Sequence, residues 1–550
     1  MEKKKARFLS MKKLYKRLGV MIDMSRNSVM SVPMLKKYMT LLKKMGYNSL
    51  MLYTEDTYEV ENEPFFGYMR GRYTIEEMKE LDAFAASIGM EMIPCIQTLA
   101  HLLAAFHWGK FPVDAKDVLL ADNERTYELI ENMFKTLSKC FTSRYIHIGM
   151  DEAHSLGRGR HLDLFGYEPS ISIIKRHLAK VQEIAKKYGY TCLLWSDMFF
   201  RSWTNNTYYC SATQVPKEFV DSVAEGVIPV YWDYYHQDEQ SYDDMIYNHA
   251  QLSKDIWFAG AAWSWKGFVP DHALSLKTME PAIRSCRRHK IKNIYFTLWG
   301  DDGGETSHFA QLATLLYLAE YAKGNEDLDS IRAKCRRILG VDYDDMVAMG
   351  DIDQGFKMGK GEYVVNPSKH MLYSDYFNDF LDCSVDPEKT AHFAACASRL
   401  YEAKKKSRRY GYLFDCLAKL CDVHAIKYDL GLRTRRAYEA GDKDTLRSLA
   451  ENEYKEVEKR LRLFYTAFRK QWMTENKPSG FDVQDIRLGG IIQRTASCRD
   501  RILDYVNGKI DSIGELDEPL LSWPSKELDG IARHVNIYSS YATPNVIEDY

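Results

Sequence analysis

The chain has 550 residues, 45% of them hydrophobic, which is more than one growing core normally absorbs, so two domains are expected. Its formal net charge of -2 supplies no overall basic field, which argues against a surface built for nucleic acid or acidic lipid. The 11 cysteines are scattered singly without a CxxC pair, and no run approaches the ~18 apolar residues of a membrane helix. The basic opening MEKKK reads as a short solvated end rather than a signal peptide. These features lead us to expect a soluble cytoplasmic protein with reduced thiols, no metal, no cofactor and no membrane or nucleic-acid partner.

From residue 19 to about 323, short apolar runs alternate with amphipathic ones. The expected strands are GVMIDM (19–24), YNSLMLY (47–53), MEMIPCIQT (90–98), YIHIGMD (145–151), TCLLWSD (191–197), IPVYWD (228–233), IWFAGAAW (256–263) and NIYFTLWG (293–300). Helices are expected between them, such as 31–46 and 74–89. The second opens on Thr74 and Glu77, the spacing of a capping box, and stops at Gly89. Runs apolar on both faces suit parallel strands covered by helices. Eight such units make a (β/α)8 TIM barrel the expected α/β fold, with an open doubly wound sheet as the competitor. Residues 1–18 form a leading segment and 19–323 the barrel. Residues 324–550 form a mostly helical C-terminal domain, with a helix region at 482–506 interrupted by Gly489 and Gly490 and a Tyr-rich irregular tail.

Barrel chemistry sits at the C-terminal ends of strands. Those ends carry Asp23 and Arg26, Glu55 and Asp56, Gln97 and His101, then His147, Asp151 and Glu152. Trp195 and Asp197, Tyr231, Trp232 and Asp233, Trp263, and finally Trp299 and Asp301 follow. Carboxylates alternating with tryptophans suit a polyhydroxylated ring, whose CH faces stack on indole while charged groups grip its hydroxyls. Any one of these tryptophans would be unremarkable as core packing. The whole rim is harder to explain that way. Asp151 and Glu152 follow the apolar run YIHIGM, where charge is costly unless used or paired.

Most retaining glycosidases place two carboxyls ~5 Å apart across the bond. Neighbours on one strand point to opposite faces, so this pair does not easily act that way. The alternative is a division of labour. One acid protonates the leaving oxygen while the other orients a nucleophile belonging to the substrate, such as a 2-acetamido carbonyl.

On these residues the chain resembles glycoside hydrolase family 20. GRYTIEEMKELDAFAASIGMEMIPCIQTLAH is similar to the family's YT-x-E-E helix and its I-x-P strand ending in His. YIHIGMDEAH resembles its H-x-G-x-D-E block. The QT-x-A-H run looks like the hexosaminidase D type, which lacks an N-terminal β domain; none is expected ahead of strand 1.

The resemblance implies an exo-β-N-acetylhexosaminidase that releases terminal β-linked GlcNAc or GalNAc with retention, through an oxazolinium intermediate. It implies Glu152 as general acid/base, Asp151 as the acetamido-orienting carboxylate, and Arg26 on the 3- and 4-hydroxyls. Trp195, Trp232 and Trp299 would wall the sugar, Asp301 would take an outer hydroxyl, and Tyr231 would contact the acetamido carbonyl. Asp56, His101, His147, Asp233 and Trp263 complete the expected sugar-binding set. Gln97 departs from the family, which often has an acid there; it is expected near His147 or Glu152.

A metal site at His147, Asp151, Glu152 and His154 matches no ligand spacing. The loop HSLGRGRH, with Arg158, Arg160 and His161, is expected to cover the pocket. Two rivals remain: a two-carboxylate glycosidase of other specificity, and a catalytically silent sugar-binding protein. The expected partner is a small oligosaccharide or glycoconjugate with a terminal N-acetylhexosamine, and the Tyr-rich tail is the segment expected to reach a second copy in a homodimer.

Overall fold

The computed structural model describes residues 14–204, 206–223, 225–357, 365–379, 381–382, 385–521, 537–543 and 545. The basic opening and most of the Tyr-rich tail therefore lie outside the described residues. The chain divides into two compact units. The first holds the described residues up to Ala262 together with Ser275–Leu298 and Leu315–Asp327. The second holds Trp263–Leu274, Trp299–Thr314 and the described residues from Leu328 onward.

In the first unit eight parallel strands close into a barrel: β1 (Arg17–Asp23), β2 (Ser49–Tyr53), β3 (Glu91–Cys95), β4 (Tyr145–His147), β5 (Thr191–Trp195), β6 (Ile228–Trp232), β7 (Trp257–Ala261) and β8 (Asn293–Leu298). Sequential neighbours pair, and β1 closes on β8 with Arg17 opposite Asn293 and Ile22 opposite Leu298. The fold expected from alternation is the fold observed. Most strand residues are buried on both faces, which is why the runs lack polar alternation.

Helix α1 (Val32–Met45) buries Leu35, Tyr38, Met39, Leu42 and Met45 on one stripe and ends at Gly46 in the left-handed conformation. Helix α2 (Ile75–Ser87) starts with both halves of the Thr74–Glu77 capping box in place.

Several strands stop short of their expected ends, and β4 does so with consequence. It covers 145–147 rather than 145–151, because Gly149 and Met150 both turn left-handed. The acid pair therefore stands on a loop beyond the ladder, not on the strand itself.

The second unit is helical. Its main helices are α3 (Lys389–Lys406), α4 (Gly411–Lys427), α5 (Lys455–Glu475) and α6 (Phe481–Val506). Phe464, Phe468, Trp472 and Phe481 form an aromatic core between α5 and α6. The break expected at Gly489 and Gly490 is absent. Helix α6 runs straight through both, because the buried stripe Leu488, Ile491, Ile492, Thr495 and Cys498 continues past them. Each glycine costs ~1 kcal/mol relative to Ala, less than burying even one of those aliphatic side chains returns.

Candidate active site

The site is assembled from the C-terminal rims of β1 to β6. Gly149 is held at φ 71°, and a Cβ on it would overlap the Gln97 side chain. That close approach lets the Gln97 Oε1 accept the Met150 N–H at 3.1 Å. The same amide turns its Nε2 outward, donating to Asp151 Oδ1 at 2.7 Å and to the Tyr53 hydroxyl at 3.0 Å. Gln97 thus grips the acid loop by its backbone and Asp151 by its side chain. An amide accepts and donates at once; an ionised carboxylate cannot donate.

His101, itself left-handed at φ 57°, brings its Nε2 to 3.3 Å from Asp151 Oδ2 and 3.7 Å from Glu152 Oε2. Burial opposes a charge on this ring, but the Asp151 carboxylate and then Glu55 outweigh it and push the imidazole up to about 10. Burial alone would likewise raise Asp151. The His101 charge and the Gln97 hydrogen bond reverse that and hold it below the usual carboxylate range. Asp151 is a fixed anion. Glu152 differs: its side chain is 43% exposed, while its backbone, strained at φ 48°, donates N–H to Asp197 Oδ2 at 3.1 Å. Of the two acids, one is locked and one is free to meet a reacting group.

A polar chain continues toward β1. The Tyr53 hydroxyl donates to Glu55 Oε1 at 3.0 Å, and Arg26 Nη2 lies 2.9 Å from the same oxygen. Asp56 is buried and paired with Arg70 at 3.4 Å; Arg70 also donates to Asn27 and to the Ser25 carbonyl. This clamp holds the loop that carries Arg26.

On the opposite side Trp195 is buried against the His147 ring, with centroids 4.2 Å apart. Burial drives the His147 imidazole down to about 3, so it stays neutral, and its Nδ1 accepts the Gly149 N–H at 3.1 Å. Trp232 aims its indole N–H at Asp197 Oδ1, 3.5 Å away, and stacks on Tyr234. Asp197 is fully buried. Burial first, then the Asp151 and Glu152 carboxylates, pushes it up to about 7.

A family model described as "Glycosyl hydrolase family 20, catalytic domain" matches residues 15–241, and the "Glycoside Hydrolase 20C C-terminal domain" model matches 344–534. The chain belongs to glycoside hydrolase family 20. Hexosaminidase D of Bos taurus is 23% identical over 273 residues, which are 46% of this chain and 72% of that protein. Beta-hexosaminidase 3 of Arabidopsis thaliana is 23% identical over 207 residues, 33% of this chain and 37% of that one. Among solved structures, the family 20 exo-β-N-acetylglucosaminidase of Vibrio harveyi in complex with N-acetylglucosamine superposes with TM-score 0.46 at 16% identity. That match covers 61% of this chain, which spans 58% of the Vibrio chain.

Set against the family 20 expectations, Arg26, His101, Asp151, Glu152 and Trp232 are linked through one polar network in the first unit, with Trp195 and His147 packed beneath Gly149. Tyr231 faces away, with its ring against His249 and Phe258, and its hydroxyl donates to Asp233 Oδ2 at 2.7 Å. Asp233 is buried and also accepts from His236 Nδ1 at 2.8 Å and from the Tyr235 N–H. Trp263, Trp299 and Asp301 belong to the second unit, where Trp263 stacks on Trp265 at 3.9 Å and the Trp299 carbonyl accepts the Ser264 hydroxyl.

The loop 154–161 does not stand free. Asp114 accepts the N–H groups of Gly157, Gly159 and His161, and the His161 side chain is buried. Family 20 motifs alone did not single out Glu55, Arg70 or Asp197. The available signal was position: each is an ionisable residue in or beside a loop that leaves a barrel strand.

Proposed function

We propose that the protein is a retaining exo-β-N-acetylhexosaminidase acting on a terminal β-linked GlcNAc or GalNAc, with the substrate's own amide as nucleophile. The observation that carries this reading is the contrast within the acid pair. Asp151 is immobilised as an anion by His101 and Gln97, whereas Glu152 is half exposed. In the first step Glu152 protonates the glycosidic oxygen while the acetamido carbonyl oxygen attacks the anomeric carbon. Asp151 receives the amide N–H and balances the positive oxazolinium that results. In the second step ionised Glu152 takes a proton from water, which opens the ring with net retention.

Arg26 supplies a forked donor for ring hydroxyls, and Trp195 and Trp232 supply apolar wall. The roles of Trp263, Trp299 and Asp301 rest on the family resemblance, whereas Tyr231 has its hydroxyl committed to buried Asp233 and is given no contact with the acetamido carbonyl. The two-carboxylate reading would need Asp197 as a second reacting acid, but its oxygens face the Glu152 N–H, Arg201 and Trp232.

No helix among the described residues is long and apolar enough to cross a membrane. The cysteines in the described residues are free, most of them buried, which supports a reducing, cytoplasmic setting. Exposed Leu164, Phe165 and Tyr167 support a homodimer, to be checked by sedimentation. The test of function is turnover of paired aryl N-acetylglucosaminide, N-acetylgalactosaminide and glucoside. Cleavage of an acetamido sugar blocked by a GlcNAc-thiazoline supports the proposal; equal cleavage of the glucoside refutes it.

A further inference from the structure

Two loops at the barrel rim end in aromatic side chains that the proposed reaction does not use. The segment after β2 carries Phe65 and Tyr68, and the segment after β3 carries Trp108. The Trp108 ring lies 5.1 Å from Tyr68 and 6.0 Å from Phe65, and those two are 6.1 Å apart. Phe65 and Tyr68 are 36% and 41% exposed, beside Met69 at 73% and Leu103 at 54%. Monomeric proteins seldom leave such a group uncovered without a use for it.

The platform is built rather than loose. Phe66, between the exposed residues, is fully buried edge-on against Tyr58 and Phe111. Gly67 sits left-handed and flush on the Asp56 carbonyl, where a Cβ would collide. Arg72 donates to the Pro64 and Phe66 carbonyls and closes the loop. Lys110 covers the Phe65 ring at 5.3 Å, Tyr68 is the more exposed of the two phenyl-type rings, and Trp108 lies half-buried against Tyr68, Phe65 and His107.

Position gives the platform its meaning. Six residues separate Trp108 from His101, whose ring is 3.7 Å from Glu152. Four of them, Leu103–Phe106, are helical. Helical residues at ~1.5 Å and extended links at ~3.5 Å put Trp108 at most roughly 16 Å from His101, a span of a few pyranose rings. On the other side Tyr68 is two residues from Arg70, which clamps the Arg26 loop.

We propose that Tyr68 and Trp108, backed by Phe65, form an aglycone subsite that stacks a pyranose ring of an oligosaccharide leaving group. This rests on the hexosaminidase reading and adds to it the class of leaving group. Flat aromatic faces match the CH faces of a pyranose, and a phenol and an indole N–H at their edges match its hydroxyls. The subsite selects saccharide aglycones and takes no part in the bond-breaking step.

The experiment compares the full-length protein with Trp108→Ala, Tyr68→Ala and Trp108→Phe. Two substrates are used: N,N′-diacetylchitobiose, whose leaving group is a sugar, and N-acetyl-β-glucosaminyl fluoride, whose leaving group has no ring. For both Ala variants we expect kcat/KM on the disaccharide to fall five- to thirtyfold, mostly through KM. Fluoride turnover and thiazoline inhibition should stay within about twofold, and Trp108→Phe should recover most of the loss. Equal falls on both substrates, or no fall on the disaccharide, would overturn the subsite. So would an Ala variant whose sedimentation mass differs from the parent, because the cluster would then be an interface between copies. A wild-type protein that turns over neither substrate overturns the hexosaminidase reading itself, and the subsite with it.

Discussion

Replacing Gln97 with Glu puts a second carboxyl 2.7 Å from Asp151, where an amide N–H now donates. At that distance two carboxylates repel by ~6 kcal/mol at an effective dielectric of ~20. With ~1.4 kcal/mol per pKa unit, there is room for a shift of about four units before His101 offsets part of it. The pair in Gln97→Glu should therefore keep one shared proton near neutrality, as close carboxyls do. While that proton is present it replaces the lost amide donor, and activity should stay within about fivefold of the parent. Once it leaves, Asp151 is pushed off the acetamido group. Measured as kcat/KM against pH on an aryl N-acetylglucosaminide, the alkaline limb should move down by at least one unit. The donor-less control Gln97→Met should instead lose activity evenly across the range, by ~10- to 100-fold, for the loss of one charge-assisted hydrogen bond. Superimposable profiles for the parent and Gln97→Glu would refute the idea that this amide holds Asp151.

Glu152→Gln should lower turnover of unactivated glycosides by at least ~10³-fold while leaving thiazoline binding within a few-fold, read by inhibitor titration. His101 has its pKa raised from 6.5 to about 10, so its pairing stabilises the fold fully below pH 6.5 and loses that effect as pH rises through 10. The Tm gap between parent and His101→Gln should accordingly narrow from pH 6.5 to 10; a constant gap would contradict the ion pair. Asp197→Asn keeps an acceptor for the Glu152 N–H but removes a group titrating at about 7, so an inflection near neutrality in the kcat profile should vanish with little change in Tm. Gly149→Ala forces a Cβ into Gln97 at a left-handed φ and should cost about 2–4 kcal/mol by denaturant unfolding, with activity falling alongside.

The barrel was legible because its signals are local. Strand runs buried on both faces, the Thr74–Glu77 box and the glycine stop at Gly89 are all written in short spacings. The position of Asp151 and Glu152 just beyond a barrel strand was legible too, as charge placed straight after an apolar run. Partner choice was not. Gln97 was expected to bond His147 or the surroundings of Glu152, and it meets Asp151 and the Met150 N–H there, but its bond to Tyr53 was not foreseen, because which rim groups meet is set by how β2, β3 and β4 close together, and spacing along one strand does not encode that. Glu55 and Asp56 show the same limit: adjacent residues at a strand end turn to different sides, so Glu55 meets Arg26 while Asp56 meets Arg70. Gly489 and Gly490 misled in the other direction, since packing of the stripe on either side outweighed local helix propensity.

The role given to the sugar's amide is tested most directly by aryl glycosides whose 2-acetamido group carries zero, one, two or three fluorines. Fluorine drains electron density from the carbonyl oxygen and leaves the ring and leaving group unchanged. The mechanism described here predicts that kcat drops steeply with each fluorine, by orders of magnitude across the series. A series of equal rates would mean that a protein side chain, not the substrate, attacks the anomeric carbon.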